Sequence, residues 1–216
     1  MAGSSDLGDL PRVIPVFPLT GVLLLPRGHL PLNIFEPRYL DMVRDAMASE
    51  RIIGMIQPRG SLRGKRPALY DVGCAGRISA FEETEDGRYL ITLTGVSRFR
   101  ILSELTTVTA YRQVEVDYAP FSQDRTDSAT LAEPLRAELL ARLEVYLDDH
   151  GLRADWNAVR NAVDEMLVNA IAMLCPFDAV EKQALLEAPT IAERAQALIT
   201  LMRFEDHGDP DTTMRH

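Results

Sequence analysis

The stretch Ile14 to Met47, IPVFPLTGVLLLPRGHLPLNIFEPRYLDMVRDAM, decides how this chain is read. Pro15, Pro18, Pro26 and Pro31 punctuate three short apolar pieces, Val16 to Leu19, Val22 to Leu25 and Leu30 to Phe35. Each ring removes a backbone donor and biases its predecessor toward an extended conformation, so the segment cannot be one helix. Short edge strands joined by tight turns remain, since proline is tolerated where a strand's N–H faces solvent. Pro37 then suits a first helical turn, and Leu40, Val43 and Met47 recur at i, i+3 and i+7 with Arg38, Asp41, Arg44 and Asp45 on the other side. Extended pieces feed one amphipathic helix.

Downstream, Arg51 to Gln57 is an apolar run suited to a buried strand, and Pro58 to Pro67 reads as an exposed loop holding the chain's basic cluster. Val72, Cys74, Gly76, Ile78 and Ala80 follow the period of a half-buried strand, and Asp86-Gly87 predicts a tight turn into Tyr89 to Leu93. Gly95 interrupts. After it, Arg98 to Leu102 puts Phe99 and Ile101 on one face and Arg98 and Arg100 on the other, and Tyr111 to Tyr118 supplies a last strand with Val114, Val116 and Tyr118 inward. Short strands at close spacing with one inserted helix predict a small antiparallel β-barrel, closed or partly closed.

At 120–130 the composition turns polar, which marks a linker between a β subdomain (13–119) and a helical bundle (131–205). Leu131, Leu135, Leu139, Leu143 and Leu147 recur every fourth residue, with Gly151 as the stop. Asp155 caps a second predicted helix with Val159, Val163, Met166, Leu167, Ala170 and Ile171 on its apolar side, ended by Pro176. Capping boxes at Asp178/Glu181 and Thr190/Glu193 start two more, the last carrying Ile191, Ala195, Leu198 and Leu201 inward. Residues 1–12 and 206–216 read as flexible and polar tails. The class is α+β.

Of the 216 residues, 46% are apolar and 25% charged, an ordinary globular balance. The net charge of -9 disfavours phosphate-rich partners, so nucleic acid and anionic membrane are not expected as the main ligand. No signal peptide or membrane span is read, and a cytoplasmic protein is expected, with Cys74 and Cys175 as buried reduced thiols.

Chemistry-bearing patterns are sparse. Gly60 to Arg66 falls short of a phosphate-binding loop, which needs four residues between its glycines and Ser or Thr after the lysine. His29, His150, His207 and His216 have no metal-ligand spacing, and neither Lys65 nor Lys182 stands at a fixed distance from a nucleophile. No catalytic residue, metal or cofactor is therefore expected.

Phe17-Pro18-Leu19, Leu25-Pro26, Leu30-Pro31-Leu32, Ile34-Phe35-Glu36 and Arg38-Tyr39 together resemble the start of the substrate-binding, amino-terminal domain of the ATP-dependent Lon proteases. Val72-Gly73 to Ile78, Asp86-Gly87-Arg88, Gly95 with Arg98-Phe99, and Lys182 to Glu187 extend the resemblance to nearly the whole chain. It implies a PUA-like β domain and a free-standing, non-enzymatic domain without the ATPase and protease modules. The implied ligands are unfolded polypeptides or peptide segments, with an adaptor role toward an ATPase or protease in trans as an extension. The groove candidates are Leu32, Phe35, Tyr39 and Phe99, for each of which core packing is the plainer alternative. The resemblance also places Glu36, Arg38 and Arg98 in family motifs, as an ion-pair brace or as ligand contacts. The alternative function, RNA or nucleotide binding, would use Arg59, Arg63, Lys65 and Arg66.

Overall fold

A computed structural model describes residues 10–60, 66–126 and 129–205, with side chains to 203. Six strands and six α-helices follow in order: β1 (Val13–Pro18), β2 (His29–Ile34), α1 (Pro37–Met47), β3 (Ile52–Ile56), β4 (Val72–Glu83), β5 (Tyr89–Glu104), β6 (Arg112–Asp117), α2 (Glu133–Asp149), α3 (Trp156–Asn161), α4 (Asp164–Leu174), α5 (Ala179–Glu187) and α6 (Ile191–Glu205), with a 3-10 helix over Ala119–Arg125. The architecture is α+β. Of the tails expected at 1–12 and 206–216, residues 1–9 and 206–216, with His207 and His216, lie outside the described residues, as do Arg63 and Lys65; Leu10 is buried in the core and the Pro11 carbonyl accepts from the Tyr118 hydroxyl.

The strands form one sheet in the order β2-β5-β4-β3-β1-β6, and β6 pairs again with β5, so the ladder returns on itself and β2 hangs outside the circuit. β1 and β3 run parallel, which corrects the all-antiparallel expectation. The chain between them, through β2 and α1, is long enough for the crossover that a parallel pair requires. β1 is not an edge strand, since β6 flanks its other side. Val22 to Leu25 is not a strand at all; Leu23, Leu24 and Leu25 sit in the core as irregular chain. The Asp86-Gly87 turn joins β4 to β5 with Gly87 at φ +79°, the left-handed value that glycine meets without steric cost.

The helical half departs from expectation in one place. Asp155 caps as predicted, accepting from the Asn157 and Ala158 amides, but the helix breaks at Ala162 and Val163 into α3 and α4. Tertiary partners hold the break. Asp164 accepts the Leu131 N–H at 2.7 Å and pairs with Arg136, whose guanidinium also reaches the Arg160 and Ala162 carbonyls. The new phase of α4 buries Leu167, Val168 and Ile171 and turns Val163, Met166 and Ala170 outward. Both capping boxes form, and Cys74 and Cys175 are buried thiols with no disulfide.

One apolar cluster runs through both halves, from Phe17, Met42 and Leu93 to Leu139, Leu186 and Met202. A second lies inside the strand circuit around Ile14, Val16, Phe99 and Val114. The 3-10 helix over 119–125 is no loose linker: Phe121 and Asp124 are buried against β5. Polar bonds add to the junction, among them Gln57 to the Ala179 carbonyl, Lys182 to the Gly21 carbonyl and Asn169 to the Pro26 carbonyl. The halves are fastened side by side.

Candidate functional site

Pro18 ends β1, and only Phe35 and Glu36 separate β2 from α1, whose first position is Pro37. That short handover lacks the length to fold Phe35 back into the core, so its ring stands 62% exposed. Four residues on, Tyr39 turns inward and packs against Phe17, the two rings tilted by 49° with centroids 4.3 Å apart. Glu36, Arg38 and Tyr39 form a compact polar rim: Arg38 pairs with Glu36 at 2.8 Å and its guanidinium lies 4.5 Å from the Tyr39 ring centroid.

Between these elements and the segment 109–112 runs a groove of about 540 Å³. Its walls are Phe17 to Leu19, Leu32, Asn33, Phe35, Glu36, Arg38 and Tyr39 on one side and Arg66, Pro67 and Thr109 to Arg112 on the other. Tyr111 is anchored by donating its hydroxyl to Asp45 at 2.7 Å, and Arg112 by Glu104 and the Pro67 carbonyl. Burial raises the Tyr39 phenol above its ordinary value, so it is neutral at physiological pH and works as an apolar wall with a polar edge. On the opposite side of β2 lies a shallower shelf of about 470 Å³ built from Pro31 to Asn33, Ala80 to Glu82 and Leu90 to Thr92. Such a site offers apolar burial, flanking charge and a strand edge.

Among the predicted residues, Leu32, Phe35, Tyr39, Glu36 and Arg38 therefore meet at one groove. Phe99 does not: it is 0% exposed, packed inside the strand circuit. Arg98 also lies elsewhere. It was expected to share a polar face with Arg100, yet it is 2% exposed beneath the helical half, paired with Asp124 at 2.9 Å. Its remaining N–H groups donate to the carbonyls of Leu186, Ala188 and Pro189. Alternation along a strand separates faces but does not say which face another subdomain will cover.

The site lies within the β half; at the junction with the helical half, the described residues line smaller cavities of about 220 and 290 Å³. Of the basic loop, Arg59 pairs with Asp71 at 3.1 Å and Arg66 with Glu104 at 2.8 Å. Tyr111 and Arg112 were not singled out from sequence, and an aromatic at the start of a strand carries no signal of its own. Lys182 is desolvated, which lowers its pKa, and it donates to the Gly21 carbonyl at 3.0 Å. Burial pushes the Cys74 thiol up, so it stays protonated. Among the described residues no group of three or more His, Cys, Asp or Glu is placed to hold a metal ion, and no helix is long and apolar enough to cross a membrane.

Solved structures share this fold. A Lon N-terminal domain protein from Xanthomonas campestris superposes with TM-score 0.62 at 24% identity, covering 87% of this chain and 97% of that one. The N-terminal domain of the Mycobacterium avium complex Lon protease gives TM-score 0.63 at 18% identity, covering 88% and 98%. In sequence, Lon protease 2 of Myxococcus xanthus is 26% identical over 90% of this chain, and the Lon protease of Anaeromyxobacter dehalogenans 25% identical over 90%. The chain spans about a quarter of the length of these curated relatives. The model of the ATP-dependent protease La (LON) substrate-binding domain matches residues 13–203, so with the fold and the sequence agreeing end to end, the chain belongs to that family.

Proposed function

We propose that this domain is a non-catalytic recognition module that binds unfolded polypeptides or peptide segments in the groove between β1, β2, α1 and the 109–112 segment. Leu32, Phe35 and Tyr39 supply apolar contact, and Glu36 and Arg38 line the mouth. The observation that carries the reading is Phe35, a large apolar side chain left 62% exposed at the rim of an apolar groove, where a domain with no partner gains nothing by keeping it. Membership of the substrate-binding family supports the same class of ligand. The closed strand circuit is read as a small PUA-like barrel that fixes the groove's walls, and the module as a cytoplasmic adaptor presenting captured chains to an ATPase or protease in trans. The nucleic-acid alternative is not adopted, because Arg59 and Arg66 are paired with carboxylates and the net charge is -9.

The test is fluorescence anisotropy with a reduced, carboxymethylated and therefore permanently unfolded protein as probe. Phe35→Asp is expected to weaken binding about tenfold, roughly 1.4 kcal/mol, which is within the range for one buried aromatic ring. Its melting temperature should stay that of the parent, since the side chain is outside the core. Equal binding by parent and variant, or no binding by the parent, would sink the reading.

A further inference from the structure

The outer edge of β2 is unused by the groove as described. β2 ends the sheet and pairs with β5 through all six of its residues, and among the described residues no strand lies against its other side. Just before this ladder the Gly95 amide donates to the Gly28 carbonyl at 2.9 Å. The alternation of an antiparallel ladder then turns the backbone of Leu30, Leu32 and Ile34 toward β5 and that of His29, Pro31 and Asn33 outward. In this phase Pro31 forfeits no ladder bond, because its missing N–H falls on the open side. The edge therefore offers two N–H groups and three carbonyls.

A strand laid on that edge would send successive side chains to opposite faces. One face is the groove with Leu32, Phe35 and Tyr39; the other is the shelf, where Pro31, Ala80 and Leu90, the last 40% exposed, lie on the same side of the ladder. Apolar cover on both sides favours an uninterrupted apolar run over an alternating one. On the groove side Arg38, Arg66 and Arg112 face Glu36 and Glu104, a surplus of one positive charge in a chain of net charge -9.

We propose that β2 captures its ligand by strand addition, the ligand being an extended, proline-free polypeptide segment with contiguous apolar residues and an acidic residue on the groove side. This deepens the peptide-binding reading of the groove and rests on it. A second copy of the domain is the wrong occupant: laid antiparallel about Pro31, two β2 edges would set donor-less residues opposite each other. A helix is also wrong, since its backbone groups are already bonded internally.

The probe is a short fluorescein-labelled peptide with a run of Val, Ile and Phe ending in one aspartate, prepared unmodified and N-methylated at alternate residues in each of the two phases. Methylation in one phase is expected to abolish binding and in the other to spare it. Pro31→Thr restores an outward donor on an exposed position and should raise affinity about fivefold, while Asn33→Pro should lower it by a similar factor. Replacing the aspartate by lysine should weaken binding at low salt. If both methylation phases bind alike and Pro31→Thr changes nothing, while Phe35→Asp still weakens binding, strand addition is overturned and the groove reading survives. If the unmodified peptide and an unfolded protein both fail to bind the parent, both fall.

Discussion

At position 98 a guanidinium donates from all five of its N–H groups, to both oxygens of Asp124 and to the carbonyls of Leu186, Ala188 and Pro189. The guanidinium carbon also lies over the Phe121 ring, 4.7 Å from its centroid, on the connector side. A charge this deeply buried is tolerated because it is fully bonded, and removing one partner leaves the other stranded. Arg98→Met is therefore expected to destabilise by about 3–5 kcal/mol in urea unfolding, and a cycle with Asp124→Leu to give a coupling of roughly 1–3 kcal/mol. Additive single effects would contradict the pairing. Tyr111 makes a second residue-scale prediction. Burial first, and the bond to Asp45 next, push its phenol from 10.0 up to about 12. Below pH 10 both folded and unfolded chains keep the proton and the stabilisation is complete; between 10 and 12 the unfolded chain ionises first, so stability falls. Tyr111→Phe should flatten the alkaline limb of a stability profile over that window, and an unchanged slope would refute the assignment.

Among the elements, α5 behaves as its local chemistry dictates, while the proline-broken stretch, α1, α3 and α4 show where packing overrides local pattern. In α1 the predicted stripe of Leu40, Val43 and Met47 rotates, so that Tyr39, Met42, Val43 and Ala46 face the core. The turn after β1 and the irregular Leu23 to Leu25 segment depend on a close crossing over β5. There Arg27 donates to the Gly95 carbonyl, and a Cβ on Gly95 would lie 2.0 Å from the Leu25 carbonyl oxygen. The obstacle is backbone, which cannot swing aside as a side chain can. Gly95→Ala is expected to cost about 1–3 kcal/mol or more and to lower the melting temperature by at least about 2 °C. An unchanged melting temperature would mean that the crossing is looser than this.

For the whole molecule, a single apolar cluster shared by sheet and helices, with the Arg98 clamp at its edge, makes independent unfolding of either half unfavourable. Hydrogen exchange in increasing denaturant should therefore show the slowest peptides of β3 to β5 and of α5 and α6 losing protection together. Separate transitions would show that the junction contributes little. This shared core also leaves the groove and the shelf beside β2 exposed on the β half, bounded by elements that do not depend on the junction opening.

The amino-acid sequence by itself determined the α+β class, the switch from strands to helices near residue 120, the Asp86-Gly87 turn and the capped helix starts at Asp155, Asp178 and Thr190. All of these rest on local rules: proline's missing donor, glycine's access to positive φ, and side-chain oxygens reaching free amides. It also marked Leu32, Phe35, Glu36, Arg38 and Tyr39, which lie within eight residues of one another and so stay close in space whatever the rest of the chain does. Only the tertiary structure decided that β1 pairs parallel with β3, that Phe99 is sealed inside the strand circuit, that Arg98 binds Asp124 and that Tyr111 and Arg112 complete the groove. Those contacts join positions far apart in the chain, and their choice depends on which surface each element covers, a property that no local pattern encodes.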